Sequence, residues 1–337
     1  MHRPHWSIKL WCTGILVVLS LSTCKHGTKT SPAEVAEESS SEISLVTEGE
    51  SAEATYSSRG DKLLFVSRAR KGHARFQVYE KDLTTGAETR ITFQNGNIAY
   101  PRYSPKGDWI LYSSSTDELK EEVPRLSSMK TLSQAPEHYR EPFELYLHSL
   151  EGLEISRLTR QPGFDGEARF NADGSVIVFS RVTSSSLQLF TMSRQGSAVR
   201  PLRLHKNAAQ YVESSKLKAW IEWSEDFKTS RLVLQKGKAK AVEVGSENQA
   251  TKVDPQFTPD GKWLLWAQQG TSGYFEIWSY EIEAQCLRPL VQATGDRRHP
   301  VVSPDLKWLT FTSWRKDRSR IAQVAFEPTS VACVRGS

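Results

Sequence analysis

The chain has 337 residues, with 44 Lys and Arg against 39 Asp and Glu and a formal charge of +5. So mild an excess excludes the strongly basic balance of a nucleic-acid binder. Hydrophobic content of 38%, with ten Trp, ten Tyr and thirteen Phe, excludes a wholly disordered chain.

Residues 1–24 read as a targeting segment outside the fold. Arg3 and Lys9 make a basic start, and the apolar run Leu10 to Leu21 is shorter than the ~20 residues that cross a bilayer. The run ends in Leu21-Ser22-Thr23-Cys24, which resembles the lipobox of bacterial lipoproteins. The resemblance implies cleavage before Cys24 and acylation of its thiol and new amino terminus, although Thr23 stands where Gly, Ala or Ser is usual. The alternative is an ordinary secretory signal. Lys25 is not the Asp that retains enterobacterial lipoproteins in the inner membrane, so the expected place is the outer membrane, facing the periplasm. Residues 25–42, KHGTKTSPAEVAEESSSE, are polar and without apolar period and read as a flexible tether. Removing the signal takes Arg3 and Lys9 with it and lowers the positive charge by two.

From residue 43 the chain repeats itself. PQFTPDGKWLLWA at 255–267 is a strand, a Pro-Asp-Gly turn and a strand, the arrangement in which turn residues must tolerate positive φ. Related stretches are ATYSSRGDKLLFV at 54–66, PRYSPKGDWILYS at 101–113 and ARFNADGSVIVFS at 168–180. The last is PVVSPDLKWLTFT at 300–312, with Leu306 in place of the turn Gly, and the most worn is AQYVESSKLKAWI at 209–221. Aligned without gaps, their anchor residues fall at 56, 103, 170, 211, 257 and 302, in steps of 47, 67, 41, 46 and 45. A period in the forties made only of strands is a propeller signature.

Each hairpin is followed by a third strand, as in PFELYLHSL at 142–150 or YFEIWSYEI at 274–282. A short fourth follows, and Pro201 and Pro289 fall within it. Proline lacks a ladder donor, so that strand is the outer rim. The expected fold is all-β: one six-bladed β-propeller of four-stranded antiparallel blades over residues 43–337. Two segments compete to be the outermost strand of blade six, ISLVT at 43–47 and SVACVR at 330–335; the amino-terminal one is slightly favoured.

Cys286 and Cys333 occupy equivalent places in blades five and six. A disulfide needs Cα atoms within about 7 Å, and sheets packed roughly 10 Å apart splay further at the rim, so two free thiols are expected. The long step from 103 to 170 carries an insertion, residues 116–141, between the second and third strands of blade two. It reads as a short helix plus irregular loop, either on a binding face or a neutral decoration.

The unit P-x-[FY]-[ST]-P-D-G-K-W-[IL]-x-[FYW], followed by E-[IL]-[WY] and a closing L-T, resembles the repeats of the TolB-type β-propellers over about residues 43–335. The resemblance implies a periplasmic binding propeller. The family's namesake carries a further α/β domain before its propeller and binds the lipoprotein Pal and colicins; here the first strand comes by about residue 43, so the expectation is a propeller without that domain, and Pal binding does not carry over. Similar repeats cap prolyl oligopeptidase-type peptidases, but the nearest string to a G-x-S-x-G elbow, Gly270-Thr271-Ser272-Gly273, has the wrong spacing. The eight His show no H-E-x-x-H or other ligand spacing. No catalytic residue, metal ligand or cofactor is therefore assigned.

Charge is uneven among the turns that join the second and third strands. Blade one carries Arg68, Arg70, Lys71 and Arg75, and blade six carries Arg315, Lys316 and Arg318, with Arg297 and Arg298 in the link before it. Ring closure makes these blades neighbours, so the loops are expected to merge into a basic patch that steers an acidic protein or anionic envelope polymer. The other reading is solvated loop charge. The sequence thus points to a monomeric, lipid-anchored, non-catalytic scaffold of the cell envelope that binds no nucleic acid. The alternative is a propeller enzyme, or a small-ligand or metal binder, using the central channel.

Overall fold

The computed structural model describes residues 43–46, 48–117, 135–152, 154–183, 186–246, 249–292, 295–315 and 318–334. The signal with Cys24, the tether, the 118–134 part of the insertion and Lys316 lie outside the described residues. Six four-stranded antiparallel sheets follow one another as blades. Their innermost strands are Glu50–Tyr56, Ile98–Tyr103, Asp165–Phe170, Ala208–Ser214, Lys252–Phe257 and Arg297–Val302. The second strands supply most of the core: Leu64, Ile110, Ile177, Ile221 and Leu264 are all fully buried. Packing those apolar faces against the adjoining sheet is what orders the ring.

The hairpin chemistry is as the sequence implies. Gly261 has φ +68° and its N–H donates to the Thr258 carbonyl at 2.9 Å, while the Thr258 hydroxyl donates to Asp260 at 2.6 Å. Leu306 takes the same left-handed conformation, φ +61°, without glycine's freedom. Pro201 and Pro289 both lie on outermost strands. In blade four, Val212 pairs with Ala219 as Gln256 pairs with Leu265 in blade five. The residue matching Phe257 is therefore Glu213, not Tyr211 as the gapless alignment implies, because the Ser214-Ser215 turn is two residues shorter.

The ring is closed by its amino-terminal strand. Ile43 and Ser44 pair with Gln323 and Ala322 on the third strand of blade six, and Val46 is buried against Ala54 and Ile321. The competing segment 330–335 does something else. Its Val334 bridges Leu287 on the outer strand of blade five, which brings Cys333 to Cys286 with a Cα–Cα distance of 5.6 Å. The two form a disulfide, correcting the expectation of free thiols. Equivalence of position along the repeat was the wrong premise, since the terminal segment leaves blade six and runs back to its neighbour.

Candidate functional site

Each innermost strand contains a β-bulge at the same place. Two of its residues face one on the second strand, and that one is always aromatic and buried: Phe65, Tyr112, Phe179, Trp220, Trp266 and Phe311. The first bulge residue has a left-handed backbone in every blade: Glu53, Tyr100, Glu167, Gln210, Asp254 and His299, with φ between 53° and 59°. Each such non-glycine residue costs about 1–2 kcal/mol. A bulge re-aims the chain, and here it interrupts the innermost strands of all six blades at one level.

These residues join the blades. The N–H of Tyr100 donates to the Glu53 carboxylate. The N–H of Asp254 donates to Gln210 Oε1 at 2.8 Å, and the N–H of His299 to Asp254 Oδ2 at 3.2 Å. Two further amides are met by hydroxyls: Gln210 N–H by Ser180 at 3.1 Å, and Glu53 N–H by Thr312 at 3.0 Å. A bulge removes an amide from its ladder, and burying that amide without a partner costs ~1–3 kcal/mol. Side chains of the preceding blade supply the partners, so the ring holds adjacent blades together.

The carboxylates are similarly engaged. Glu167 accepts from Ser180 at 2.7 Å, Gln210 Nε2 at 2.8 Å and Tyr139 Oη at 3.1 Å. Arg298 binds Asp254 through Nε at 2.9 Å and Nη2 at 3.3 Å. Burial alone would raise the Asp254 carboxyl, but Arg298 and His299 hold it well below the usual range. Burial pushes Glu53 up to about 7 and His299 down to about 4. Among the described residues, no three His, Cys, Asp or Glu side chains converge as metal ligands.

Tyr139 belongs to the insertion of blade two, in the 3-10 turn Glu137–Arg140. It is fully buried, packed edge-on against Phe164 and Trp223. Its hydroxyl and the neighbouring His138, 3.7 Å from Glu167, reach the ring. The insertion therefore contributes to the axis. Beyond the ring, toward the hairpin turns, an axial cavity of about 40 Å³ is lined by Arg102, Arg169, Gln256 and ring residues, room for a few water molecules.

The arginines read from the sequence separate into two groups. Three point inward. Arg297 is 1% exposed and donates to the Gly295 and Asp296 carbonyls. Arg298 is held by Asp254, and Arg70, 8% exposed, donates to Glu88 at 2.7 Å and to Ser67 at 2.8 Å. These three are corrected from surface to interior positions, because each starts or adjoins a strand where a buried acceptor is within reach. Arg68 is exposed but pairs with Glu50 at 3.0 Å. Lys71, Arg75 and Arg318 are exposed, as is Arg320. The Arg315 side chain lies outside what is described.

No family model matches the chain. Over 40 residues it is 45% identical to the uncharacterized protein Atu1656 of Agrobacterium fabrum, a stretch covering 12% of this chain and 14% of that one. Its structure is similar to TolB from Acinetobacter baumannii, with a TM-score of 0.59 and 14% identity over 81% of this chain and 65% of TolB. It is also similar to oligogalacturonate lyase from Vibrio parahaemolyticus, with a TM-score of 0.57 and 12% identity over 85% of this chain and 80% of the lyase. The chain thus spans under two thirds of that TolB and a small part of the curated relative. At these identities the likeness is one of fold: the chain is a TolB-like β-propeller.

Proposed function

We propose that this protein is a non-catalytic interaction module of the bacterial cell envelope, lipid-anchored through Cys24, that docks an acidic partner on the loops of blades one and six. The observation that carries this reading is the set of exposed cations Lys71, Arg75, Arg318 and Arg320. None forms an ion pair among the described residues. Ring closure seats their blades side by side, with the Ile321 N–H on the Ser51 hydroxyl at 3.2 Å. Adjacent solvated cations without internal partners raise the local potential and speed encounter with an acidic surface.

An enzyme using the central channel has less support, although one protein of similar fold is an oligogalacturonate lyase. Here Tyr139 is packed against the ring, and Glu167 and Asp254 are bound to side chains and amides that join the blades.

The test is crosslinked capture from intact envelopes by wild type and by a Lys71→Glu, Arg75→Glu, Arg318→Glu variant. The expected result is one acidic partner retained by wild type, lost by the folded variant and weakened by salt. Equal capture by both proteins overturns the assignment.

A further inference from the structure

Two cations on the axis have no role in the ring. Arg102 and Arg169 each follow the bulge residue by two positions, in blades two and three. Arg102 Nη1 donates to the Pro101 carbonyl at 2.8 Å, and Arg169 Nη1 to Gln256 Oε1 at 2.6 Å. Neither guanidinium forms an ion pair among the described residues, in contrast to Arg298, which Asp254 holds. Both are surrounded by protein while keeping part of their surface open to the axial space. Burial disfavours both charged forms, and Arg102 further disfavours the charge on Arg169. Glu167 and Asp254 favour the charge on both arginines, and Glu53 that on Arg102, without pairing with either.

Two partly buried cations lining one cavity, each with donors left over, are a costly arrangement. A guanidinium fork matches a carboxylate in shape and charge. The space fits this pairing. The 40 Å³ axial cavity shares Arg102, Arg169 and Gln256 with a wider one of about 180 Å³, lined also by Tyr103, Pro105 and Glu213 near the hairpin turns. The ring forms the deep end, and Tyr139 is packed against Glu167 there. The result is a pocket with ring residues at its deeper end, lined by none of the basic loop residues of blades one and six. The longer-range carboxylates and Glu213 at the mouth favour a monoanion over a doubly charged group.

We propose that Arg102 and Arg169 form a carboxylate-binding site at the bottom of the axial pocket, for a small carboxylate ligand entering from the hairpin-turn face. The two guanidiniums supply the charge and the hydrogen-bond donors, and the wider space holds the atoms behind the carboxylate.

The test is thermal unfolding of the purified full chain titrated with sodium acetate, and separately with inorganic phosphate, at ionic strength held constant with chloride. The probes are acetate and phosphate themselves. Wild type is expected to show a saturable rise in melting temperature of ~2 °C or more with acetate, larger than with phosphate. Arg169→Met is expected to match or exceed wild type in chloride, because it removes a partly buried cation without an ion-pair partner, and to lose the acetate response. The charge-reversed variant at Lys71, Arg75 and Arg318 is expected to keep that response, so the two binding assignments fail separately. No acetate response in wild type, an equal response in Arg169→Met, or a larger response to phosphate overturns the proposal.

Discussion

At the scale of residues, the axis holds two titrating groups whose effects oppose. Glu53 is raised by burial from the ordinary 4.5 to about 7, so between these values the folded state binds more protons than the unfolded one. Its contribution to stability therefore falls as pH rises through that interval. His299 is lowered by burial from 6.5 to about 4, so there the unfolded state binds the extra proton and stability rises with pH. Each effect is roughly 3 kcal/mol, and the two largely cancel between about pH 4.5 and 6.5. Wild type should thus show a flat profile in urea titrations across that range. Glu53→Gln should leave the histidine slope, gaining stability as pH rises from 4 to 6.5, and His299→Asn should lose stability from 4.5 to 7. Parallel profiles for all three proteins would show that these groups do not titrate as their burial requires. Asp254, held below the ordinary range, contributes outside this interval, where stability is lost only in stronger acid.

At the scale of elements, the hairpins and their order were legible because each turn needs a special residue and each second strand needs an apolar run. The bulges were harder to see. Their signal is present: in blades two, five and six the ring residue immediately precedes the first proline of the repeat, as in Tyr100-Pro101, Asp254-Pro255 and His299-Pro300. The aromatic opposite each bulge falls within or at the end of the apolar run of the second strand. Neither residue type signals a bulge alone, since polar residues and aromatics are common in any strand; only the shared offset across six blades does. Blade four hides even that, because its shortened turn shifts Gln210 out of the gapless alignment. The terminal segments were legible only in part. Two residues of the amino-terminal strand close blade six, whereas the disulfide depends on a chain reversal that the repeat does not encode. That bond joins positions 47 apart and encloses nearly all of blade six, so loop-closure entropy gives it about 3–4 kcal/mol. Cys286→Ala with Cys333→Ala should lose approximately that much in urea unfolding. An unchanged midpoint and slope would mean that the short strand pairing closes the ring unaided.

At the scale of the whole molecule, polar groups on the axis join the blades, and the loops of two neighbouring blades carry the exposed cations Lys71, Arg75, Arg318 and Arg320. The sequence located those loops from charge counts alone but could not tell which arginines face solvent. Arg70, Arg297 and Arg298 are written like their exposed neighbours, but their guanidiniums turn inward onto Glu88, backbone carbonyls and Asp254. The most direct test of this account is equilibrium unfolding of Asp254→Ala, which removes the acceptor for Arg298, the His299 amide and the contact with Gln210. If the axial ring fastens the blades, the variant loses about 3–5 kcal/mol, the cost of leaving a buried cation without its partner. A stability within ~0.5 kcal/mol of wild type would contradict it, and would mean that these side chains are held on the axis for a ligand instead.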